Sequence, residues 1–165
     1  MDAVRTAYLI SVFLHVLAAI TWIGGMVFLV VIFVPLTRRP ATREKALSLF
    51  HELGGRLRVV GWIALGTLVV TGFYNASVRG YGLLDWLTGK VFAGDWGHTL
   101  LHKLLVVVVI LAMSGVHDFV IGPRAVGLPE GSKERESYRK VASFMGRATF
   151  FLALVVLAFA VQLAR

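Results

Sequence analysis

The chain has 165 residues, 58% of them hydrophobic, with mean hydropathy +0.79 and a formal net charge of +8. A soluble domain holds about 45–50% apolar residues, so a membrane protein with no room for a second domain is expected. With no cysteine, disulfides, thiolate metal sites and iron–sulfur clusters are excluded, and the bases lie beside apolar runs, where orientation and anionic lipid rather than nucleic acid account for them.

The first apolar run covers residues 6–37, between Arg5 and Arg38. It is too long for a signal peptide, whose apolar core is about 7–15 residues, and exceeds the ~20 residues that span a bilayer, so it should tilt or protrude. The second run, 59–76, follows a charged but helix-prone stretch, 41–58. There Ala46, Leu49, Phe50 and Leu53 recur at helical spacing, which predicts one long helix with a polar extension. Residues 79–96 carry Tyr81, Trp86, Phe92, Trp96 and several glycines and read as an interfacial segment. The third run, 99–121, ends at Gly122-Pro123, and the fourth, 148–164, has residues 141–147 as its lead-in. The expected fold is all-α: an integral membrane four-helix bundle in a single transmembrane domain, residues 1–165, with spans near 6–37, 56–76, 99–121 and 144–164. No long internal repeat is visible.

Lys and Arg set the expected orientation. The first connection carries Arg38, Arg39, Arg43, Lys45, Arg56 and Arg58, and the third carries Arg124, Lys133, Arg135, Arg139, Lys140 and Arg147. The second has only Arg79 and Lys90, balanced by Asp85 and Asp95. The positive-inside rule places the first and third connections in the cytoplasm and both termini outside. A bacterial inner membrane is the expected location.

The polar residues within the runs carry the chemistry. Between His102 and His117 lies an apolar stretch with Lys103 at its start. As a helix it separates the two imidazoles by roughly 22 Å along the axis and about 60° around it. Ionisable groups are costly in hydrocarbon and usually face a protein interior. With the orientation above, His15 and His102 form an outer group beside Lys103, and His51 and His117 an inner one, each drawing on two helices. His98 is expected at the interface.

Trp22 falls within about 20° of the His15 face. Gly55, Trp62 and Gly66 lie near the His51 face, with Gly54, Gly61 and Gly72 in an adjacent smooth stripe. Glycine admits close approach of a partner helix or a planar cofactor, and helix packing is the plainer reading. Arg56, Arg58, Arg124 and Arg147 would be available at the inner end to meet acidic groups of such a cofactor. Against these stand plain alternatives: His117-Asp118 as a polar helix end, and Lys103 snorkelling outward.

The stretch His15-Val-Leu-Ala-Ala-Ile-Thr-Trp-Ile-Gly-Gly25 resembles the first-helix motif His-x-x-Ala-x-x-(Ser/Thr)-Trp-x-(Gly/Ala)-Gly of two related membrane families. These are the copper-resistance D (CopD) family and the HemJ-type protoporphyrinogen oxidase family. The stretch 55–75 is similar to the second helix of the former, and Lys103-Leu-Leu-Val with Pro123-Arg124 to its Lys-Leu helix ending in Pro-Arg. The resemblance covers roughly residues 12–125. The HemJ-type likeness implies a b-type haem, with its His and Lys roles falling on His15 and Lys103.

The residue chemistry favours a haem-binding redox or electron-transfer protein. Imidazole suits iron, and paired axial ligands on facing helices are how bundles build cofactor sites. His15 with His102 or Lys103 would hold haem b, and His51 with His117 a second. Copper is the alternative, favoured by the closer family, although soft Cu(I) seeks Cys or Met and only Met26 and Met113 lie in the apolar runs. The HemJ-type oxidase is a second alternative, and a non-catalytic scaffold is the third. Expected partners are membrane lipid and a quinone or redox protein as donor or acceptor; a homo-oligomer is left open.

Overall fold

A computed structural model describes residues 3–129 and 131–164, without the side chains of Leu47, Phe50, His51 and Glu52. The described residues are almost all helical: α1 (Ala3–Val27), a π-helical turn (Phe28–Phe33), α2 (Val34–Arg38), α3 (Arg43–Ser77), α4 (Leu83–Leu87), a 3-10 turn (Lys90–Phe92), α5 (Gly94–Val116), a second π turn (His117–Ile121), α6 (Gly122–Gly127) and α7 (Lys133–Leu163). Four helical stretches are long and apolar enough to cross a membrane: Ala3–Arg38, Leu53–Ser77, Gly94–Gly127 and Lys133–Leu163. Hydrocarbon leaves no water to satisfy backbone groups, so a spanning run of this composition has to be helical. The long second helix with its polar extension is found as α3, one rod from Arg43 to Ser77.

The chain divides into two compact units, Met1–Thr88 and Gly89–Arg165. In the first, α1 packs along α3 as a hairpin. Small residues lie inside it (Ser11, Ala18, Ala64, Thr71, Ala76), while Phe13, Ile20, Ile63 and Val70 are each more than 60% exposed. That inside-out distribution suits a lipid solvent: apolar side chains gain little by leaving hydrocarbon, so the helices associate through close backbone approach. At the far end of α3, Gly80 (φ 95°) turns the chain, and the Gly82 N–H donates to Asp85 Oδ2 at 2.9 Å to start α4. Trp86 then lies against Phe73, ring centroids 4.8 Å apart.

In the second unit α5 packs along α7 and α6 folds onto α7. Ser132 Oγ caps α7 by accepting from the Arg135 N–H at 3.2 Å. Arg135 Nε donates to the Ala125 carbonyl at 3.2 Å, and the Arg124 guanidinium lies 5.7 Å from the Tyr138 ring centroid. Gly97 permits the tightest contact: a Cβ there would lie 2.4 Å from the Phe92 carbonyl carbon.

Two features depart from the sequence reading. The third helix does not stop at Gly122-Pro123; the π turn His117–Ile121 carries it on into α6. Proline removes one N–H and presses its ring on the carbonyl four residues back, and the wider π turn ahead of it relieves that clash. Gly122 fits because a Cβ there would come to 3.0 Å from the His117 carbonyl oxygen.

The second departure is that the two units share one plan. Each is a spanning helix, a π turn, a short proline-started helix, a connection and a long return helix. Aligning Pro35 with Pro123 also aligns Ser11 with Thr99 and His15 with Lys103 on the helices that precede them. Almost none of these pairs is identical, so the repeat is not visible as sequence.

Candidate functional site

His15 is the centre of the best-defined site. It is half-buried on the face of α1 that meets α3. Its Nδ1 lies 2.8 Å from Thr71 Oγ1, and Thr71 Oγ1 in turn donates to the Thr67 carbonyl at 2.5 Å. Thr71 is only 8% exposed, which shields the pair from competing water. Beside it, a Cβ on Gly72 would lie 3.2 Å from His15 Cε1 and 3.8 Å from Nδ1. The ring is therefore held at its edge by a hydroxyl and seated against bare backbone.

One helical turn from this pair lie Ser11, four residues before His15, and Asn75, four after Thr71. Ser11 Oγ and Asn75 Oδ1 are both buried without a hydrogen-bond partner among the described residues. Trp22 sits further along the same face, its Cδ1 3.9 Å from where a Cβ on Gly61 would be. Thus the expected His15–Trp22 face meets the expected Gly61–Gly72 stripe.

Thr71, Ser11 and Asn75 were missed in the sequence reading. Their signal was present: polar residues at a spacing of four on the face of a spanning helix, two of them flanking His15 and Gly72. Outside this site, a shallow cleft of about 260 Å³ is lined by residues including Leu14, Leu17, Val60 and Ile63. Its threonines, Thr21 and Thr67, donate to their own backbone at Leu17 and Ile63, so the cleft offers a hydrocarbon surface.

In the second unit His102 is exposed on α5 and stacks on Phe159, centroids 6.3 Å apart and planes at 16°. Lys103 is half-buried on the adjacent face. His117 opens the π turn and its Nδ1 lies 2.8 Å from Asp118 Oδ1, a partner from its own helix end. His98 is exposed near the start of α5. His51 lies in α3, and the site expected on its side chain falls outside the described residues. Each expected ligand pair, His15 with His102 and His51 with His117, draws one member from each unit. Among the described residues no group of three His, Cys, Asp or Glu is gathered for a metal ion.

A family model described as Copper resistance protein D matches residues 51–163. The match takes in the fourth helix, for which the sequence offered only hydrophobicity, and leaves out α1. An uncharacterized protein of Aquifex aeolicus (strain VF5) is 29% identical over 153 residues, covering 92% of this chain and 91% of that protein. No solved structure matches.

Proposed function

The chain belongs to the copper resistance protein D family, and we propose that it handles copper in the bacterial inner membrane with the His15 imidazole as its metal-holding group. The observation that supports this is the His15–Thr71 hydrogen bond. Histidines that bind metals commonly give their other ring N–H to a neighbouring oxygen, which fixes the ring and raises its basicity. Imidazole suits copper, so the donor fits. On this reading copper is cargo, held by nitrogen because the chain has no thiol. Further donors are sought among His102, His117, His51, Met26 and Met113.

A second reading, haem b, is favoured by a different feature. A porphyrin brings four nitrogen donors of its own, so one well-held imidazole suffices as an axial ligand. His15 would hold the iron, with Lys103 or His102 as the candidate for a second ligand. Bound haem would supply one-electron transfer, with a quinone or redox protein as partner. The protoporphyrinogen oxidase activity of the HemJ-type family stands behind this reading as its enzymatic form.

One experiment separates the readings. Protein purified in detergent is analysed for iron and copper, titrated with Cu(I) under reducing conditions, and examined by visible spectroscopy before and after dithionite. Stoichiometric copper lost in His15→Ala, without a Soret band, supports copper handling. A Soret band with sharp reduced α and β bands, lost in His15→Ala, moves the assignment to haem. Neither metal, with His15→Ala unchanged in folding, leaves a scaffold. The same measurement on His102→Ala, Lys103→Ala and His117→Ala identifies further donors.

A further inference from the structure

Thr71 has one hydroxyl proton and two neighbours that compete for it. Its Oγ1 lies 2.5 Å from the Thr67 carbonyl oxygen and 2.8 Å from His15 Nδ1. Two oxygens that close repel unless a proton lies between them, and a carbonyl has none to give. The hydroxyl proton is therefore on the Thr67 side. Thr71 presents a lone pair to the imidazole, so the proton in the His15–Thr71 bond comes from Nδ1. A neutral imidazole protonated at Nδ1 carries its lone pair at Nε2.

We propose that Thr71 is a positioning residue that holds His15 in its Nδ1–H tautomer, with the ring lone pair on Nε2. Gly72 completes the seat. A side chain there would meet Cε1 at 3.2 Å and turn the ring away from the hydroxyl. The burial of Thr71 keeps water from replacing the bond, since a hydrogen bond is stronger in a low-dielectric interior. In the second unit the position that matches His15, counted back from the proline, is Lys103, an amine with no tautomers to choose between, so the device is not repeated there.

The tautomer can be read without any metal, so its test stands apart from the metal assignment, on which only the second readout rests. Metal-free protein carrying ¹⁵N-histidine is examined by NMR, with His15 assigned by its loss in His15→Asn. The expected spectrum shows a protonated Nδ1 and an unprotonated Nε2. Thr71→Val, equal in shape but without an acceptor, should release His15 toward the Nε2–H form, and Thr71→Ser should restore the wild-type signals. Wild-type protein protonated at Nε2, or a Thr71→Val spectrum identical to wild type, overturns the proposal; the wild-type spectrum decides even if the valine variant does not fold. In the second readout, Cu(I) affinity should fall 10–100-fold in Thr71→Val and recover in Thr71→Ser. The expected tautomer in a protein that takes no copper would reject the copper reading and leave the positioning role intact.

Discussion

The imidazole of His15 rests on Gly72 closely enough that one added methyl group would have to displace it, the Cβ position lying 3.2 Å from Cε1. Gly72→Ala should therefore shift the ring by a few tenths of an ångström. Metal affinity should drop about tenfold, in the range seen when a ligand's supporting contacts are lost, with insertion and helix content unchanged. Gly66 is the control, since its Cβ would meet nothing within 4 Å. Gly66→Ala should leave affinity alone and stabilise α3 by about 0.5–1 kcal/mol through reduced backbone entropy. Equal affinities for the two variants in a metal titration would refute the contact's role.

Gly97 makes a different demand. Its Cβ would fall 2.4 Å from Phe92 C, 2.7 Å from Val91 O and 2.8 Å from Phe92 Cα. All three are backbone atoms and cannot swing aside. Gly97→Ala should cost about 2–3 kcal/mol, at the upper end of ordinary overpacking penalties. Gly115→Ala, in open space on the same helix, should cost nothing. Thermal unfolding of the two variants in one detergent checks this, and coincident midpoints would contradict it.

Ser11 is 7% exposed, and its hydroxyl has no hydrogen-bond partner among the described residues. Removing an unsatisfied buried polar group lifts a desolvation penalty. Ser11→Ala is therefore expected to be neutral or stabilising by up to about 1 kcal/mol, read as an unchanged or raised midpoint in thermal unfolding; a lowered midpoint would contradict it.

The proposed orientation has a direct test because the native chain contains no cysteine. Single substitutions Ala41→Cys and Ser132→Cys report on the two basic connections, and Thr88→Cys on the connection between the units. With an impermeant maleimide on intact spheroplasts, Thr88→Cys should label and the other two only after lysis. The opposite pattern would invert the topology.

The sequence was sufficient for the four spans and the polar extension of α3, because both follow from local rules. A run of about 20 apolar residues must be helical in hydrocarbon, and helical spacing of Ala46, Leu49 and Leu53 continues the rod beyond it. It also picked out His15, an ionisable side chain in the middle of an apolar run, where it costs free energy unless it has work to do. The third helix was cut short at Pro123 because proline reads locally as a stop; the π turn that lets the helix continue depends on the backbone as a whole.

The hydrogen bond between His15 and Thr71 joins residues of two different helices, so no local rule could have paired them. Only the packing of α1 on α3 decided which hydroxyl meets the imidazole, which glycine seats it and which polar atoms lie one turn away. The common plan of the two units is likewise tertiary: it lies in the order of the helical elements, which many different apolar residues can fill, so it does not show as residue identity. Composition and spacing determined that this chain crosses a membrane with a histidine inside; the fold determined how that histidine is held.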